Sequence, residues 1–116
     1  MVTNDDATVT KTGSLAVTRY AAPELIEHND ASVTKYSDTF SFGMLMLECI
    51  TEAPPFSDIS REAEIIHVRI SKKKNPARPD GERCSDGLWE LMCQCWTWEP
   101  NERPSMDHVH HVLGRA

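Results

Sequence analysis

Residues 37–52, Ser-Asp-Thr-Phe-Ser-Phe-Gly-Met-Leu-Met-Leu-Glu-Cys-Ile-Thr-Glu, constrain this chain more than any other stretch. Phe40, Phe42, Met44, Leu45, Met46, Leu47, Cys49 and Ile50 leave almost no polar face. A helix that is apolar all round is a buried helix, so the rest of the fold must surround it. Ser37 and Asp38 are suitable N-terminal caps, and Pro54-Pro55 ends the helix and opens a loop. Gly43 in the helix interior costs about 1 kcal/mol against alanine, which points to close approach of another backbone.

The elements around this helix are also helical. With 116 residues the chain makes one small domain, whose core must come from a few helices packed together. A short helix fits residues 21–26, where Pro23 takes a first-turn position and Glu24 favours the N-terminal dipole. A second runs from about Arg61 to Ser71, with Ala63, Ile66 and Ile70 as its apolar stripe. The basic run Lys72-Lys73-Lys74 reads as its solvated C-terminal end rather than a nucleic-acid patch. Pro76, Pro79 and Gly81 mark a loop over 75–83. Another helix begins near Ser85, and Leu88, Leu91, Met92, Cys95 and Trp96 form a clean core-facing stripe. Trp96 therefore reads as core packing. Pro100 and Pro104 bracket a turn, and Ser105 caps a last helix through Val109, Val112 and Leu113. Residues 1–19 are rich in Thr, Asp, Ser and Ala and read as a mobile segment.

Charge and cysteine usage narrow the function classes. A net charge of −6 argues against nucleic acid or an anionic membrane as partner, since both need a basic footprint. No apolar run is long enough for a membrane span, and residues 1–12 are polar rather than signal-like, which suggests the cytoplasm or nucleus. The four cysteines are Cys49, Cys84, Cys93 and Cys95, with no C-x-x-C pair. Cys49, Cys93 and Cys95 lie in apolar helical patterns and read as buried reduced thiols. A zinc site on Cys93, Cys95 and some of His108, His110 and His111 is the alternative, but C-x-C is poor spacing for a structural zinc.

Four motifs then occur in order along the chain. They are Thr18-Arg19-Tyr20-Ala21-Ala22-Pro23-Glu24-Leu25, Tyr36-Ser37-Asp38-Thr39-Phe40-Ser41-Phe42-Gly43, Pro54-Pro55-Phe56-Ser57-Asp58, and Cys95-Trp96-Thr97-Trp98-Glu99-Pro100-Asn101-Glu102-Arg103-Pro104-Ser105. Together they resemble the C-terminal lobe of eukaryotic protein kinases, from the A-P-E end of the activation segment to the R-P-S before the last helix. Phe40 stands where the family's D-x-W-S-F-G has tryptophan. The C-W and R-P-S forms are most similar to the tyrosine kinase and tyrosine-kinase-like branches. The resemblance implies a mainly α fold, the helical C-terminal lobe of a kinase-like domain with the N-terminal lobe absent. Residues 1–19 would be a flexible partial activation segment, and 20–116 the partial kinase domain.

The resemblance also assigns roles. In the family the A-P-E glutamate pairs with the R-P arginine, which implies a Glu24–Arg103 ion pair. Val17, Thr18, Arg19, Tyr20, Ala22 and Pro23 would form the substrate-side end of the activation segment. Val17 occupies the position, three before Tyr20, where Ser/Thr kinases usually place threonine, and serine/threonine and tyrosine specificity both stay open. Asp38 matches the aspartate that anchors the catalytic loop in the family, with simple helix capping as the alternative. Thr8, Thr10, Thr12 and Ser14 fall where the family carries activation-loop phosphosites.

Phosphoryl transfer in kinases needs a Gly-rich loop, an ATP-contacting lysine, a catalytic-loop Asp and Asn, and a D-F-G aspartate on magnesium. The chain contains no G-x-G-x-x-G, no His-Arg-Asp and no Asp-Phe-Gly. The expectation is therefore a chain without catalytic, cofactor or metal residues of its own, ATP and Mg2+ belonging to the parent family. Its partner would be protein, either a substrate or the missing kinase segment. A truncated copy of a kinase and a genuine non-catalytic interaction module both remain open.

Overall fold

The computed structural model describes residues 15, 17–28 and 32–115. Thr8, Thr10, Thr12 and Ser14 lie outside the described residues. Five α-helices follow a helical turn over residues 17–20: α1 Pro23–Glu27, α2 Lys35–Thr51, α3 Glu62–Ile66, α4 Asp86–Cys95 and α5 Met106–Arg115. A π-helical turn, His67–Ser71, continues α3, and a 3-10 turn, Pro100–Glu102, precedes α5. No strand occurs among the described residues. The chain is the mainly helical fold its sequence implied.

The central helix starts one turn earlier than its apolar run suggests. Thr34, not Ser37 or Asp38, is the N-cap. Its hydroxyl accepts from the Ser37 amide at 3.1 Å, while the Ser37 hydroxyl accepts from the Thr34 amide at 2.8 Å. This reciprocal capping box satisfies two otherwise orphaned donors, and it explains why Ser37 is buried. Asp38 is exposed in the first turn of α2. There its charge suits the helix dipole. The helix ends with Glu52 in the left-handed conformation at φ 60°, its amide bonded to the Glu48 carbonyl.

Packing against α4 gives α2 its burial. Phe40, Met44 and Leu47 of α2 meet Leu91, Met92, Cys95 and Trp96 of the α4 region, and Val109 of α5 closes the core. Each such side chain withdrawn from water contributes about 1.5–3 kcal/mol. Trp89 meets Trp96 edge to face, with ring centroids 5.6 Å apart. Gly43 does mark a close approach, but to side chains rather than to another backbone. A Cβ there would lie 2.7 Å from Trp96 Nε1 and 2.9 Å from Cys95 Cβ.

Two expectations need correction. The buried face of α3 is Ile65 and Arg69 rather than Ala63, Ile66 and Ile70, and Ala63 is exposed. The π turn after Ile66 alters the spacing that a regular helical period assumes. Cys49, expected inside, is exposed one helical turn beyond Leu45, itself 49% exposed. These two lie on the one face of α2 left uncovered by the described elements. Cys84 and Cys95 are buried and Cys93 half-buried, all as free thiols. Burial pushes the Cys95 thiol up to about 11, outweighing the nearby Arg103 charge.

Two substitutions check this packing. Gly43→Ala improves helix propensity by about 1 kcal/mol, but forces a methyl against Trp96 and Cys95, where overpacking costs about 1–3 kcal/mol. Denaturant midpoints should show a net loss; a gain in stability would refute the close approach. Leu45→Glu should reduce binding of a hydrophobic fluorescent dye at an unchanged melting midpoint, because it touches only the uncovered face.

Candidate functional site

The segment from Val17 to Ala22 is short, yet nearly every residue in it is fixed from outside. The helical turn is closed by Ala21 N–H bonding to the Val17 carbonyl at 2.7 Å. Ala21 and Ala22 are buried, as is Thr18, whereas Val17 is 53% exposed. The Thr18 hydroxyl donates to the Glu62 carboxylate of α3 at 3.0 Å. Arg19 donates to the carbonyls of Pro55, Phe56 and Ile59 at 2.9, 2.7 and 2.8 Å. It thereby organises the loop that follows α2. With its guanidinium committed to three carbonyls, Arg19 acts as a brace.

Tyr20 is tied to α2 at both ends. Its hydroxyl donates to the Glu48 carboxylate, and its carbonyl accepts from the Ser41 hydroxyl at 3.1 Å. Burial, reinforced by the hydrogen bond and negative charge of Glu48, pushes the phenol up to about 12. Arg69 supports the same segment from beneath, donating to the carbonyls of Thr18 and Ala21 at 2.6 Å each.

Pro23 opens α1 at a first-turn position, and Glu24 follows it. From the far end of the chain, Arg103 donates Nη1 and Nη2 to the two carboxylate oxygens of Glu24, both at 2.8 Å. Its remaining donors go to the carbonyls of Tyr36, Thr97 and Trp98 at 3.0, 2.7 and 3.0 Å. The Arg103 side chain has no exposure, and Glu24 retains 24%. Phe40 lies under this guanidinium, 4.9 Å from ring centroid to Cζ, and under that of Arg69 at 5.2 Å. Its place in the tryptophan position of the motif thus has a physical role, as the ring between two cations.

The sequence singled out Glu24, Arg103 and residues 17–23, and the fold brings them onto one side of α2. It did not single out Arg69, Glu48, Glu62 or Ser41. The signal for Arg69 was its spacing, four residues after the buried Ile65. Asp38 does not join the cluster. Among the described residues its carboxylate takes part in no ion pair.

These residues do not fit Mg-ATP. Among the described residues no three of His, Cys, Asp and Glu converge on a metal position. Gly43, Gly87 and Gly114 lie within helices and Gly81 stands alone in a loop, so none forms a phosphate cradle. The cluster can hold the loop over residues 17–22 in one shape; it assigns no residue to phosphate.

The ion pair sets an acid limit to stability. Burial alone would raise the Glu24 carboxyl. The hydrogen bonds from Arg103 and its own amide, with the charges of Arg103 and Arg69, instead hold it below the ordinary 4.5. A carboxyl depressed in the folded state contributes stability that is present above its unfolded pKa and lost as pH falls through the folded value. Glu24→Gln should cost about 3 kcal/mol at neutral pH, the low end for a buried pair because three carbonyls still hold Arg103. The deficit should shrink as melts are repeated toward pH 3, and an unchanged midpoint at pH 7 would refute the buried pair.

Comparison with known proteins agrees with this geometry. The sequence profile of the family described as "Protein tyrosine and serine/threonine kinase" matches residues 1–113. The Abl transforming tyrosine kinase of Abelson murine leukemia virus is 33% identical over 98 residues, 82% of this chain and 12% of that protein. The human proto-oncogene tyrosine kinase ROS is 34% identical over 96 residues, 82% of this chain and 4% of its own length. A putative mitogen-activated protein kinase kinase kinase 7-like protein of Drosophila melanogaster is 31% identical over 112 residues, 94% of this chain and 28% of that protein. The chain spans only a small part of each of these relatives. With the profile match running through the A-P-E and R-P-S segments that the Glu24–Arg103 pair joins, the chain belongs to the protein tyrosine and serine/threonine kinase family.

Proposed function

We propose that this chain is the substrate-side helical part of a protein kinase domain. The complete domain would transfer the γ-phosphate of ATP to hydroxyl groups of protein side chains. The 116 residues alone would not perform that transfer, since they contain no G-x-G-x-x-G, His-Arg-Asp or Asp-Phe-Gly. The observation that carries this reading is the bidentate Glu24–Arg103 pair, which joins residues 79 positions apart directly after the segment from Val17 to Ala22. Positioning of a peptide next to a reaction centre demands such rigidity, because small displacements of a substrate cost large factors in rate. The proposed partners are protein: the substrate, and the phosphate-handling segments of the domain.

A second reading is favoured by the uncovered face of α2 at Leu45 and Cys49. It makes the chain a non-catalytic module that binds proteins through its helices. Transcripts separate the two. Messages that run in frame through His-Arg-Asp and Asp-Phe-Gly into Met1 are expected for the kinase part; mature messages without them favour the module.

The isolated chain should show no change in melting midpoint when Mg-ATP is titrated to millimolar concentration. A saturable upward shift would mean that it binds the nucleotide, and would overturn the assignment of phosphate handling to other segments.

A further inference from the structure

Residues 18–21 curl around a buried cation. Arg69 is 4% exposed, and its guanidinium donates to backbone carbonyls of that segment, those of Thr18 and Ala21. Its guanidinium sits between the rings of Phe40 and Phe56, at 5.2 and 5.9 Å. None of the ion pairs among the described residues includes it. A buried cation without acceptors is costly, so the loop carbonyls and the guanidinium depend on each other. Burial and then the like charge of Arg103 lower the Arg69 pKa to about 10, against the opposing attraction of Glu24. At neutral pH the group stays charged.

The backbone around Arg69 is also irregular. It lies within the π turn His67–Ser71, where Lys72 N–H bonds to the His67 carbonyl at 3.1 Å. An i→i+5 turn is rare overall and occurs frequently at functional sites. The other ties on the loop are its own side chains, Thr18 to Glu62, Arg19 to the loop after α2 and Tyr20 to Glu48, with one bond from the Ser41 hydroxyl to the Tyr20 carbonyl. Arg69 alone grips the loop by two carbonyls three residues apart, which is a constraint on backbone shape.

We propose that Arg69 is a positioning residue that fixes the backbone of residues 18–21 in the shape presented to substrate. The role rests on the reading of this segment as the substrate side of a kinase domain. A planar guanidinium spans two acceptors at a set separation, and neither lysine nor a neutral side chain can reproduce that span.

Residue-resolved amide hydrogen exchange on the full chain tests the proposal. Arg69→Met keeps much of the volume and removes both donors and the charge. Arg69→Lys keeps the charge without the fork. Exchange at Ala21 N–H should accelerate by roughly tenfold or more in the Met variant, while amides of Met44 in α2 and Met92 in α4 hold their rates. The Lys variant should restore part of the protection. An Ala21 rate within about twofold of the parent, or equal acceleration at Ala21, Met44 and Met92, would overturn the role. Should the Met variant fail to fold, the Lys variant decides by the same comparison of Ala21 with Met44 and Met92. Exchange reads loop shape with no phosphoryl acceptor present, so it can fail while the kinase reading stands, and the transcript test can fail while this one succeeds.

Discussion

Arg103 brings five N–H donors into a site where its side chain has no exposure, and each donor meets an oxygen. Those oxygens belong to α1, the first turns of α2 and the segment after α4, so one side chain ties three parts of the chain together. Arginine is suited to this because its fork matches a carboxylate edge to edge and leaves further donors for carbonyls. Lysine would reach one partner and strand the others. Among the described residues, two buried guanidiniums, Arg69 and Arg103, face the carboxylate of Glu24. Charge alone does not balance there, and backbone carbonyl dipoles supply the remainder.

Phe40 completes this arrangement in a way that a polar aromatic would not. Both guanidiniums face its ring, at 4.9 and 5.2 Å, and the nearby carbonyls already accept from them. A tryptophan here would add an indole N–H to a site crowded with donors. The core tryptophan Trp96 illustrates the difficulty, since its Nε1 is buried with no hydrogen-bond partner among the described residues. It is pressed against Gly43, the one position on α2 that leaves room for it. The ring at position 40 keeps the attraction of a π face for cations and introduces no further donor.

How much of this was legible in the sequence depended on where each residue's partner lay. The helices were legible because their apolar spacing is local, and Glu24–Arg103 was legible because both residues sit in motifs whose partnership the family resemblance supplies. Arg69 was not, because an arginine on a short helix ordinarily reads as solvated. Its acceptors are carbonyls 48 and 51 residues earlier, which leave no trace in side-chain identity. The α3 stripe was misplaced for a related reason, since periodicity arguments assume a regular helix and this one passes into a π turn. The cap of α2 moved from Ser37 to Thr34 because both hydroxyls qualify, and only the reciprocal bond between them decides which stands outside the helix.

The same logic separates what the site can do from what it cannot. Four side chains, Thr18, Arg19, Tyr20 and Arg69, spend their hydrogen bonds on holding the loop and its surroundings. Arg19 commits three of its five N–H donors to the carbonyls of Pro55, Phe56 and Ile59, so its guanidinium holds the loop after α2 in place. Arg19 beside this loop and Arg69 beneath it are structural cations, since their guanidiniums donate to backbone carbonyls. What the loop leaves in solvent is Val17, ahead of the Thr18 and Ala21 carbonyls that Arg69 holds from behind.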